Sequence, residues 1–243
     1  MEKENSNILL ALDVETVPST DSFEFVWDEK FPEMIDVPQN KRLTDPVKVS
    51  DWKCEKLTSM RDEWMTKKQK AYEEQEKEFR SEALCSYKGR ILCMSYAKNT
   101  NWKNIKTIDF VGGEKEMLQE FYNDIKQYSV VGFMGTNLKF DLMFIFHRAL
   151  HFGLFDLANK IRCDRGYTKN RDIELMELAG GGLEFKYRIS LDNICKLLGV
   201  KSPKDGIDGS KVFDYYLQGK IEEIKQYNRN DVSQLIECYN LLK

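Results

Sequence analysis

Histidine is nearly missing from this chain: it has two, His147 and His151, in 243 residues. Six cysteines are scattered (54, 85, 93, 163, 195 and 238) without a Cys-x-x-Cys pair, and none lies near the histidines in sequence. A zinc site of the usual sulfur and imidazole ligands is therefore not expected. The cysteines read as reduced, half-buried small apolar residues of a cytoplasmic protein. No apolar run approaches the length of a membrane span. The opening Met-Glu-Lys-Glu-Asn lacks the basic and apolar regions of a signal peptide. Positive charge is not in excess either. The net charge of −3 excludes a protein that coats a duplex through overall electrostatics, but it leaves room for a local basic patch or for metal ions to supply a positive field.

What the chain does have is an apolar run that ends in two acids. Ile8 to Val17 reads Ile-Leu-Leu-Ala-Leu-Asp-Val-Glu-Thr-Val. In a strand, positions i and i+2 share a face, so Asp13 and Glu15 project together while Val14 turns away. Like charges so placed raise one another's pKa, and a divalent cation between them relieves that cost. An edge strand with two solvated acids is the plainer alternative.

The remaining sequence divides by pattern. Ser19 to Pro46 is irregular, and Pro18, Pro32, Pro38 and Pro46 are four of the chain's five prolines. Its Phe23, Phe25, Trp27 and Phe31 are expected to hold it against the body. Val49 to Leu84 is expected to be one long, weakly amphipathic helix with a solvated charged face. Arg90 to Lys98 and Ile105 to Val111 read as strands, Glu114 to Tyr128 as a helix, and Val130 to Met134 as a short buried strand. Leu138 to Phe152 is a strongly apolar helix, and Arg171 to Leu178 is ambiguous between helix and strand. Ser190 to Leu198 is a helix closed by Gly199, Lys201 to Gly209 a loop, Ser210 to Gln218 helical, and Ile221 to Leu242 the last helix. This order implies an antiparallel start followed by a parallel crossover.

Further acids stand at two of these elements. Asp141 follows a strand and a turn in Asn137-Leu138-Lys139-Phe140-Asp141, where a helix N-terminus favours a carboxylate. Asp231 lies four residues after Tyr227, so both share a helix face with Ile224 and Leu235. A phenol and an acid on a buried face need partners.

An acid pair on the first strand, Asn-x-x-Phe-Asp at a strand-to-helix junction and Tyr-x-x-x-Asp in the last helix occur in that order. In these motifs the chain resembles the tyrosine-bearing branch of the DEDD superfamily of 3′-to-5′ exonucleases. It is most similar to the proofreading exonuclease domain of B-family DNA polymerases and its stand-alone bacterial and phage relatives. Lys88 to Ser95 looks like the second strand of that family, and Ser190 to Gly199 with Asp205 to Ser210 like the approach to its last motif. The similarity runs over about Ile8–Val17 and Lys88–Leu242. A histidine five residues before the last acid marks the other branch. Here that position is Gln226, and both histidines are expected to be structural or exposed.

The resemblance implies a single α/β domain over residues 1–243, of ribonuclease-H-like type. Its mixed five-stranded sheet would be flanked by helices, with a long, partly helical insertion at 19–88 after the first strand. It also implies two divalent metal ions, Mg²⁺ or Mn²⁺, held by Asp13, Glu15, Asp141 and Asp231, with Asp13 bridging and Tyr227 orienting the attacking water. Leu12 and Thr16 are candidates to contact the terminal nucleotide, with Asn137 beside them. Phe140 either supports the terminal base or belongs to the core. The implied activity releases nucleoside monophosphates from the 3′ end of single-stranded nucleic acid, DNA ahead of RNA. An RNA-trimming enzyme like RNase D and a catalytically silent nucleic-acid-binding or docking module are the rivals. With no polymerase body after the last motif, the chain is expected to act alone or to serve a replication or recombination protein in a bacterial or phage-infected cell, away from membranes. Lys160, Arg162, Arg165, Lys169 and Arg171 offer a basic stretch for phosphates, or a solvated connector. Gly180-Gly181-Gly182 lacks the Lys-Ser/Thr of a phosphate loop. The long helix has three open roles: guiding the strand, docking a partner or self-association.

Overall fold

The run from Ile8 to Leu12 forms the middle of β1 (Asn7–Val17), and its alternation explains the layering of the molecule. In this computed structural model, which describes residues 7–162, 172–181, 189–201 and 207–243, Leu10, Leu12 and Val14 enter one core and Ala11 the other. β2 (Arg90–Lys98) pairs antiparallel with β1, and β3 (Lys106–Asp109) antiparallel with β2. β4 (Ser129–Gly135) and β5 (Ile173–Glu174) add parallel strands on the other side. The five-stranded mixed sheet has the order β3-β2-β1-β4-β5, the α/β arrangement of a ribonuclease-H-like exonuclease.

Helices cover both faces. α2 (Glu114–Ile125) and α3 (Leu138–His151) lay Met117, Leu118, Phe121, Leu142 and Ile145 on the Leu10–Leu12–Val14 side, with α4 (Phe155–Ile161) beyond them. On the Ala11 side lie α5 (Leu175–Ala179), α6 (Leu191–Leu198), α7 (Val212–Leu217) and α8 (Ile221–Leu242). Leu191, Ile194, Val232, Leu235 and Ile236 pack there with Ala97 and Met134. Gly199 ends α6 in the left-handed conformation (φ +71°), as its position predicts.

The chain divides into two compact units, Met1–Ser19 with Glu82–Lys243 and Thr20–Ser81. The second contains α1 (Pro46–Ser81), a 36-residue helix, so about 54 Å long. Leu57 is its one buried residue. The aromatic residues of the irregular segment lie along this helix. Phe23 and Phe25 each meet Tyr72 at 5.3 Å, and Phe31 meets Trp64 at 5.0 Å. Gln75 clamps Val26 through both its N–H and its C=O (3.1 and 3.0 Å), fixing the register of the segment on the helix.

Several boundaries differ from those expected from sequence. Phe110–Gly112 is a 3₁₀ turn instead of the end of β3, because Asp109 accepts the Val111 N–H (3.0 Å) and turns the chain. α1 starts and stops three residues early, and Glu82–Leu84 is a 3₁₀ turn. The ambiguous Arg171–Leu178 stretch is both things in succession, a two-residue strand and then α5. α4 was not foreseen. Three of the cysteines (93, 195 and 238) are fully buried and Cys54 is exposed. Among the described residues no helix is long and apolar enough to cross a membrane.

Candidate active site

Three parallel strands, β1, β4 and β5, finish at one end of the sheet, and the acids gather there, as ligands do beyond the carboxyl ends of parallel strands. Asp13 and Glu15 share the Ala11 face of β1, which α8 covers. The pairing with β2 shifts just after Glu15: Glu15 faces Cys93, Thr16 faces Ile91, and Leu92 is the extra residue of a bulge.

α8 supplies the other half of the site. Carboxylate oxygens of Asp13, Glu15 and Asp231 lie within 4.8 Å of one another. Tyr227, one turn before Asp231, is half-buried and hydrogen-bonded to it. Loss of solvent, followed by the charges of Asp231, Glu15 and Asp13, pushes the Tyr227 hydroxyl well above its ordinary pKa. It therefore stays a phenol whose O–H donates a hydrogen bond to Asp231. The sequence points to this helix face but not to Asn228, which lies between Tyr227 and Asp231. Its Nδ2 donates to Asp13 Oδ2 at 2.6 Å, and the amide also bonds Glu15. No local signal separates this asparagine from the solvated ones nearby, such as Asn230, which pairs with Gln226 (2.7 Å).

Asp141 stands beside the trio and outside the 4.8 Å group. It is in the first turn of α3, 3% exposed, and its Oδ1 accepts the Val14 N–H (3.3 Å). β1 runs beyond its pairing with β4, which stops at Ala11, so this N–H is open to a carboxylate from α3. Asp141 thus bonds the strand and does not cap its helix. The cap comes from Glu174 on β5, whose Oε2 accepts the Leu138 N–H (2.8 Å), a role the sequence did not reveal.

The electrostatics of the acids are those of a crowded anionic cluster. Burial, then the charges of Asp141, Glu15 and Asp231, holds the Asp13 carboxyl well above the ordinary range. Burial, then Asp231 and Asp141, does the same to Glu15. Asp141 is raised by burial and by Glu174, against the pull of the Val14 N–H. Lys225, three residues before Asn228, is spent on Asp109 and Glu222, both at 2.8 Å.

Leu12 is fully buried in the core, and the Thr16 hydroxyl donates to the Ala83 carbonyl (2.6 Å). Phe140 is half-buried, 4.8 Å from Phe144, and Asn137 is exposed at the start of α3. His147 bonds Ser86 through Nδ1 (2.7 Å), and His151 is exposed at the end of α3. In the basic stretch Lys160 donates to the Tyr128 carbonyl (2.7 Å), a structural use. Arg165, Lys169 and Arg171 lie outside the described residues, as do Gly182 and Asp205–Gly206.

Oxygen donors alone, anionic and mutually repelling, fit a hard divalent cation. Comparison with known proteins points the same way. An uncharacterized protein of Methanocaldococcus jannaschii is 25% identical over 136 residues, which cover 53% of this chain and 74% of that protein. Residues 78–240 match a family described as a predicted 3′-5′ exonuclease related to the exonuclease domain of PolB. β2, α3 and α8 up to residue 240, with Tyr227 and Asp231, lie inside that span, while β1 with Asp13 and Glu15 lies before it. The chain belongs to this family of predicted 3′-5′ exonucleases.

Proposed function

We propose that this protein hydrolyses the terminal phosphodiester at the 3′ end of single-stranded nucleic acid, DNA ahead of RNA, releasing nucleoside monophosphates. The observation that carries this reading is the meeting of Asp13 and Glu15 with Asp231 in a chain of an exonuclease family. Two divalent cations, Mg²⁺ or Mn²⁺, would be held by Asp13, Glu15 and Asp231 with Asp141 at the side. When bound, such ions supply the charge that makes water nucleophilic at neutral pH and that offsets the negative charge on the departing 3′ oxygen.

The residues have separable tasks. Asp13, which the charges of Asp141, Glu15 and Asp231 all reach, would hold the cations together with them. The Tyr227 hydroxyl donates a hydrogen bond to Asp231, which leaves its lone pairs to accept from the attacking water. A phenol, with an ordinary pKa of about 10, is a weak base at neutral pH, so its part is orientation. Glu15 would hold the same water from the strand side.

A 5′-labelled oligonucleotide tests this directly. With Mg²⁺ it is expected to shorten from its 3′ end one nucleotide at a time, and Asp13→Ala is expected to abolish shortening with unchanged circular dichroism. Undiminished shortening by that variant would overturn the metal assignment. Tyr227→Phe is expected to slow the reaction on the order of 10–100-fold with cation binding retained; an unchanged rate removes Tyr227 from the mechanism. Matched DNA and RNA oligonucleotides assayed with one preparation separate DNA hydrolysis from RNA trimming.

A further inference from the structure

Asn228 is fully buried, on the stripe of α8 that carries Ile224 and Val232 one turn to either side. Its Nδ2 reaches Asp13 at 2.6 Å and the amide bonds Glu15 as well, while its Oδ1 meets no donor among the described residues. A leucine has nearly the same shape and would fill this place without burying a bare acceptor. Packing therefore does not account for an amide here. What the amide adds is a donor aimed at two carboxylates that repel one another.

The neutrality of the donor matters. A lysine or arginine in its place would also hold the acids, but it would cancel the charge that draws a divalent cation and would have to be displaced by it. An amide fixes the direction of the oxygens and leaves their charge intact. We propose that Asn228 is a positioning residue that pre-sets Asp13 and Glu15 for divalent-cation binding, a role that rests on the metal-dependent reading above.

Calorimetric titration of the metal-free protein with Mn²⁺, without nucleic acid, tests this role. Asn228→Leu keeps the shape and removes the donor; its Mn²⁺ dissociation constant is expected to rise about tenfold or more, the usual effect of losing a residue that orients a metal ligand. The Mg²⁺ concentration for half-maximal oligonucleotide shortening should rise by the same factor. Asn228→Ser adds no bulk, places its hydroxyl too short of Asp13, and is expected to show the same loss; it carries the test if the leucine variant does not fold. Parental Mn²⁺ affinity in either folded variant overturns the role of Asn228 alone. Absence of Mn²⁺ binding by the unaltered protein overturns the metal reading itself, and this role with it.

Discussion

Asp13, Glu15 and Asp141 all hold their protons above the ordinary carboxylate range, through burial first and neighbouring charge second. In the unfolded chain these groups release their protons near pH 4. The folded, metal-free protein therefore binds more protons than the unfolded chain above that pH. The associated stability is fully present below about pH 4 and is lost as pH rises toward the folded pKa values. The melting temperature of the metal-free protein is expected to fall between about pH 5 and pH 8. Asp13→Asn should flatten that slope, and Mg²⁺ should raise the melting temperature more at the upper pH than at the lower. Equal slopes for the variant and the parent would show that the cluster is not the source. At this scale the sequence was informative where geometry is local. Two residues in a strand, or four in a helix, place Asp13 with Glu15 and Tyr227 with Asp231. Asn228 and Glu174 escaped notice because their partners, Asp13 and the Leu138 N–H, are 215 and 36 residues away in sequence.

At the scale of elements, one buried ion pair ties three of them together. Arg148 on α3 donates to both carboxylate oxygens of Glu114 on α2 (2.9 and 2.6 Å), and Glu114 also accepts the Ile91 N–H of β2 (2.8 Å). Both residues are 8% exposed. Arg148→Met leaves the Glu114 carboxylate buried without its cation and is expected to cost about 3–5 kcal/mol, read as a lowered urea midpoint. A double change of Arg148→Met with Glu114→Leu should recover much of that loss, since removing both partners of a buried pair costs less than breaking it. Gly89 shows a second close fit: a Cβ there would stand 2.6 Å from the Glu82 carbonyl, so the turn before β2 admits no side chain. β1, β2, β4 and the apolar helix α3 were legible from periodicity and length. β5 was not, since its two residues are held by β4 and by the Asp172 carboxylate on the Phe133 N–H (2.8 Å), not by any pattern of their own. The aromatic residues before α1 were recognised as anchors. Sequence could not say that their anchorage is the helix of their own unit.

For the whole molecule, a net charge of −3 and an anionic cluster at the sheet end oppose a polyanionic substrate. Oligonucleotide binding is therefore expected to be weak in chelator and to strengthen when Ca²⁺ is added, measured by fluorescence anisotropy at fixed ionic strength. Equal affinity in chelator and Ca²⁺ would mean that basic side chains alone hold the strand. The longest strands, β1 with 11 residues and β2 with 9, are both interior to the sheet. Among the described residues its margins are β3, with four residues, and β5, with two. An unpaired row of backbone donors and acceptors that short offers another chain very little to template on. The strand bearing Asp13 and Glu15 is the one least available for pairing between molecules. Concentrated solutions of the folded protein should accordingly resist strand-mediated aggregation, because the margins of the sheet are short and its long strands lie inside it.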